Sequence, residues 1–151
     1  MNTFTPRLLS ALLVASSALA LGACNTQESA EETQADVAEA QAEGQQDVAE
    51  SAAEAAVVAA EGQENIAKSD DAAEVREARA DAIEDNADAR QNVTEAKAKA
   101  DYDVAVQKCE ALPSAQQSAC KDQAEAVYDA AKAQAERTKE QKDAVADRVR
   151  Q

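Results

Sequence analysis

Three thiols and thirty carboxylates are the groups in this 151-residue chain that could do chemistry, and there is no histidine among them. Without an imidazole there is no His general base, no Ser–His dyad and no His-ligated metal. Adjacent carboxylates occur at Asp70-Asp71 and Glu84-Asp85. Such pairs do acid–base work when a pocket perturbs their pKa values, and no pocket is predicted around either. No Asp-x-Asp-x-Asp-Gly loop offers a calcium site. The expectation is therefore no catalytic residue, no metal ligand and no cofactor. The thiols Cys24, Cys109 and Cys120 remain as the reactive candidates.

Cys24 closes an N-terminal segment built like an export signal. Arg7 supplies one positive charge, and the 14 residues from Leu8 to Leu21 supply none. That run is short for a hydrocarbon layer of about 30 Å and suits the apolar region of a signal peptide. Leu21-Gly22-Ala23-Cys24 follows at once. The segment resembles the lipobox region of bacterial lipoproteins, and the resemblance covers residues 1–24. It implies that Cys24 takes a thioether-linked diacylglycerol through its sulfur, the nucleophile of the reaction. It implies also that the chain is cut between Ala23 and Cys24 and that the new amino group is acylated. The implied partner is a membrane, held through acyl chains worth about 0.8 kcal/mol per buried CH₂. By analogy with the enteric sorting rule, Asn25 in place of Asp favours the outer membrane, facing the periplasm. The competing reading is an ordinary secretory signal with an unrelated cysteine.

Export places the other two thiols in an oxidising compartment, where an even pair reads as a disulfide. On one continuous helix Cys109 and Cys120 would lie about 16 Å apart, against the roughly 4.4–6.8 Å between Cα atoms that a disulfide needs. A turn must separate them. Pro113 disfavours helix at Leu112, and Ser114 with Gln117 has the spacing of a capping box that starts a second helix near Ala115. An antiparallel hairpin centred there pairs positions summing to about 229. Tyr102 then faces Val127, Ala105 faces Ala124 and Ala98 faces Ala131, with Tyr128 completing an apolar cluster. Intermolecular pairing and redox catalysis are the alternatives for the two thiols, although C-x₁₀-C is not the C-x-x-C of the redox motif.

The elements that carry these cysteines must be helical. After Ala23 the chain has 35 alanines but only 14 Val, Leu, Ile or Phe in 128 residues. That is below the roughly 20 per cent at which a charged chain becomes suspect as a globular fold. Alanine, Glu, Gln, Lys and Arg are strong helix formers, and no proline falls between Pro6 and Pro113. A continuous helix over 46–112 would reach about 100 Å. Val37, Val48, Val57, Val58, Ile66, Val75, Ile83, Val93 and Val104 recur near whole turns, but no Leu/Ile heptad supports a strong coiled coil. The segment 42–51 matches 60–69 at an offset of 18 residues, five helical turns, so both copies present one face.

Charge divides the chain. The net formal charge is −15, and residues 25–77 hold 15 acids against Lys68 and Arg76. Residues 78–151 hold 15 acids and 12 bases, enough for helix-surface pairs such as Glu95–Lys99 and Glu136–Lys139 and for Arg79 with Asp81 and Asp85. The acidic balance argues against nucleic acid and against docking on anionic lipid surfaces. The expected organisation is an all-α chain. Residues 1–23 form a signal peptide, 24–45 a flexible acidic tether, 46–77 a marginal acidic helix and 78–151 a disulfide-closed helical hairpin turning near 113–114.

Around the cysteines, Ala98–Ala105 and Lys108–Leu112 with Cys120 resemble small, alanine-rich, helical proteobacterial envelope proteins carrying a Cys pair, over roughly residues 40–135. That resemblance implies no known activity. Three functions fit these expectations. The first is a non-enzymatic, lipid-anchored envelope protein acting as a periplasmic helical spacer or interaction surface. The second is a peptidoglycan tether similar to the Braun-type murein lipoprotein. Against it, the Lys used for that family's cross-link is replaced here by Arg148-Val149-Arg150-Gln151, and the Leu/Ile heptads are missing. The third is a hydrophilic stress protectant acting by solvation. The expected partners are the membrane and either peptidoglycan or another envelope protein. Oligomeric state is left open.

Overall fold

A computed structural model describes residues 29–151. The signal segment, Cys24 and the first residues of the expected tether lie outside the described residues. The fold is all-α: α1 (Ala30–Lys68), α2 (Ala72–Glu110) and α3 (Ser114–Arg150). α1 is the long alanine-rich helix, and α2 with α3 is the antiparallel hairpin closed by a disulfide. α2 is central. Both other helices pack along it, and they do not pack on each other.

Local chemistry sets each boundary. Ser29 Oγ accepts from the Glu32 amide at 3.2 Å, and Glu32 Oε2 accepts from the Ser29 amide at 2.9 Å. This reciprocal box satisfies two donors that a helix start otherwise leaves bare. Glu31 and Glu32 also sit at the positive end of the helix dipole. Helix thus begins at Ala30, inside the 24–45 stretch expected to be flexible. Ala40 and Gly44 are buried there, so the segment is held by packing as well as by its cap.

The uninterrupted helix over 46–112 is replaced by two helices folded back at Ser69–Asp71. Asp71 Oδ1 accepts from the amides of Ala73 at 2.8 Å and Glu74 at 2.9 Å, while the Asp70 amide donates to Glu74 Oε2 at 3.1 Å. Short Ser and Asp side chains compete for backbone hydrogen bonds and convert a helix interior into a stop and a fresh start. The expected boundary at 77/78 therefore falls inside α2.

At the second turn Pro113 (φ −52°) stands before α3 without a side-chain cap. The capping box expected from Ser114 and Gln117 does not form. Gln117 Nε2 instead donates back to the carbonyls of Glu110 at 2.8 Å and Leu112 at 2.9 Å. It closes the end of α2, whose final carbonyls have no helical partner.

The core is alanine. Ala40, Ala80, Ala87, Ala98, Ala124, Ala135 and Ala146 are buried together with Cys109, whereas Val57, Val127 and Val145 are exposed. The buried positions of α3 step by eleven residues, as do Ala87, Ala98 and Cys109 of α2. Three turns return each to the same face. The large apolar residues flank this seam instead of filling it. Two glycines bring α1 closest to α2. A Cβ placed on Gly44 would overlap the Ala100 methyl, and one on Gly62 would lie 2.8 Å from Ala82 Cβ. Both pairs sum to 144, so the 18-residue repeat of α1 meets alanines of α2 that are also 18 apart.

Candidate functional site

Cys109 is the penultimate residue of α2 and Cys120 lies in the second turn of α3. Their Cα atoms are 5.6 Å apart and the sulfurs are bonded. Cys109 is 1% exposed. The Leu112 amide donates to the Cys109 carbonyl at 3.1 Å and the Gln116 amide to the Pro113 carbonyl at 2.7 Å, which tightens the loop. Lys121 Nζ bridges back to Glu110 Oε1 at 2.7 Å. Next to the disulfide, Tyr102 and Tyr128 approach with ring centroids 5.4 Å apart and planes inclined by 35°. Lys132 Nζ stands 5.2 Å from the Tyr128 ring centre, within cation–π range. These rings, Val127 and the alanines at 98, 105, 124 and 131 line a shallow apolar groove of about 380 Å³ beside the bond. The expected cross-hairpin pairings thus meet along one groove. Chemically the arrangement is a covalent staple. Among the described residues no third thiol stands ready to exchange with it.

The carboxylate pairs have structural roles. Asp71 caps α2, and the two amide hydrogen bonds it accepts hold its carboxyl below the ordinary range. Glu84 accepts from Arg150 Nη1 at 2.5 Å and Nη2 at 2.8 Å. Asp81 and Glu77 add contacts at 2.8 and 3.3 Å. The Arg150 hydrogen bond holds Glu84 below its usual value, and the same contacts raise Arg150 further. Farther along the hairpin Lys139 binds Asp143 at 2.7 Å and Asp88 at 3.0 Å, and both hydrogen bonds raise its pKa. The expected pairs Glu95–Lys99 and Glu136–Lys139 are not the ones made. Lys99 binds Asp103 at 2.6 Å, and Glu95 accepts from Gln91 Nε2 at 2.7 Å. Arg79 makes no ion pair with Asp81 or Asp85; Asp81 is committed to Arg150.

Nothing in the sequence marked Arg150 as a clasp across 66–73 residues of chain; the acids it binds at 77, 81 and 84 do share one helical face. Among the described residues, no group of three His, Cys, Asp or Glu side chains is placed to hold a metal ion, and no helix is long and apolar enough to cross a membrane. Cys24, the expected lipidation site, lies outside the described residues. No protein family, curated protein or solved structure matches the chain.

Proposed function

We propose that the chain is a non-enzymatic envelope lipoprotein, held at the outer membrane through acylated Cys24, whose helical body serves as a periplasmic spacer or interaction surface. One observation carries this reading: the uncharged run Leu8–Leu21 ends directly in Leu21-Gly22-Ala23-Cys24. The thiol is in the place where lipid transfer requires a sulfur nucleophile. A disulfide in the body is consistent with export to an oxidising compartment. In support of a spacer, each of the 39-residue helices α1 and α2 extends about 58 Å. Folding back at Ser69–Asp71 and Pro113 makes the body shorter than one continuous helix and stiffer.

Cys24→Ser tests the anchor. The expected product keeps its signal segment or is lost from the outer-membrane fraction. A Cys24→Ser protein that is processed and fractionates like the natural chain contradicts the anchor. Recovery of protein bonded to muropeptides after lysozyme digestion of sacculi would replace the spacer with a cell-wall tether.

A further inference from the structure

Because α1 and α3 both pack on α2 but not on each other, a trough of about 630 Å³ runs between them. Its size is in the range of small-molecule sites. Ile66 of α1, Ile83 of α2 and Val149 of α3 give it an apolar lining. Its charged residues are Arg79, Arg90 and Lys142, and no carboxylate lines it. That is unexpected in a chain with twice as many acids as bases. The neighbouring grooves each carry at least one Asp or Glu.

Four of the chain's eight lysines pair within their own helix, and the trough cations do not, a state they share with Arg76, Lys108, Lys132, Arg137 and Arg148. Lys68, Lys97, Lys99 and Lys139 each have an acid four residues away and bind it. Arg79, Arg90 and Lys142 have no Asp or Glu at three or four residues on either side. Among the described residues none of the three enters an ion pair. The antiparallel register of the hairpin sets Lys142 opposite Ala87, one turn from Arg90. Two unpaired cations thus share one end of the trough, and the isoleucines and Val149 lead away from them. The stem of Arg79 flanks the far end, where long cationic side chains can cover apolar surface. From Arg90 to Arg79 the trough spans about 16 Å, roughly the length of an extended acyl chain of a dozen carbons.

We propose that this trough binds a single-chain fatty-acid anion, its carboxylate between Arg90 and Lys142 and its chain over Ile83 towards Ile66 and Val149. Unpaired cations favour a monoanion there, where a carboxylate can accept charge-assisted hydrogen bonds. A second copy of the chain is a poor occupant, since two bodies of charge −15 repel. The inference does not rest on the lipid anchor, which lies at the other end of the sequence.

A myristate analogue with a diazirine at the chain end tests it on the full chain in isolated envelopes. Carbene insertion is expected in the peptides containing Ile66 and Val149, suppressed by free myristate but not by myristyl alcohol. Arg90→Gln with Lys142→Gln should cut that labelling at least tenfold. Arg76→Gln with Arg137→Gln removes the same charge elsewhere and should leave it unchanged. Circular dichroism should show the same helicity in both variants. Undiminished labelling in Arg90→Gln/Lys142→Gln, equal competition by the alcohol, or insertion confined to other peptides overturns the proposal. So does a dimer in sedimentation that only the trough variant dissociates, which would make a second copy the occupant.

Discussion

At Gly44 and Gly62 two opposing effects can be compared directly. Glycine inside a helix costs about 1 kcal/mol relative to alanine. A methyl at either position would collide with a rigid alanine methyl of α2, and overpacking a close interface costs about 1–3 kcal/mol. The collision should win. Gly44→Ala is expected to lower stability by up to about 2 kcal/mol, read as a smaller urea midpoint with unchanged slope. Adding Ala100→Gly should restore part of the loss; a stabilised Gly44→Ala single variant would show that α1 does not approach α2 as described. The disulfide gives a second residue-scale expectation. Closing the loop between Cys109 and Cys120 should contribute about 3 kcal/mol through chain entropy. Reduction should lower the melting temperature accordingly, and an unchanged melt would remove the staple from the account. Glu84, Asp71 and Glu32 are all held below the ordinary carboxylate range, by Arg150, by backbone amides and by Ser29 respectively. Groups with depressed folded pKa values stabilise above their unfolded pKa, and that contribution disappears as pH falls through the folded value. The melting-temperature difference between the natural chain and Glu84→Gln, present at neutral pH, should therefore shrink on acidification below about pH 4.5; a difference that persists there would deny the Arg150 contact its role.

At the scale of helices, what each end is made of decided how much the sequence revealed. The hairpin was legible because Pro113 lies between two cysteines that cannot bond along one helix. Its register followed from the midpoint, and Tyr102 and Tyr128 do meet. The fold-back at Ser69–Asp71 was not legible, because it contains neither Pro nor Gly and its acids look like a solvated helix face. The signal was present in Asp71 followed by Ala73 and Glu74, whose amides it caps. Asp71→Ala should fray the start of α2, seen as faster amide exchange at residues 72–75 with α3 unaffected; unchanged exchange there would deny the cap its role. Likewise the Ser29–Glu32 box opens a helix in a stretch whose acidity suggested a flexible tether. The valine spacing pointed to helix but misplaced the seam. Alanines and glycines form it, since only small side chains let these backbones approach. The unpaired cations of the trough come from two helices, so no local window of sequence brings Arg90 and Lys142 together.

For the whole molecule, electrostatics and packing work against each other. α1 carries ten acids and one base and lies against α2, which carries ten acids and six bases, in a chain whose net charge is −15. Exposed ion pairs contribute little, while net charge of one sign opposes the compact state. Raising ionic strength from about 0.01 M to 0.15 M shortens the screening length from about 30 Å to about 8 Å. The melting temperature should rise over that range; a fall would mean that the Arg150 clasp outweighs the repulsion. In functional terms the body offers helices, a staple and shallow grooves, and its proposed place in the envelope depends on the thiol at the other end of the sequence. Intact mass of the purified protein, before and after reduction, tests that most directly. The account predicts a chain starting at Cys24, heavier by a diacylglyceryl group and an acyl chain, that gains two hydrogens on reduction. A product lacking lipid at Cys24, recovered free in the soluble envelope fraction, would contradict it.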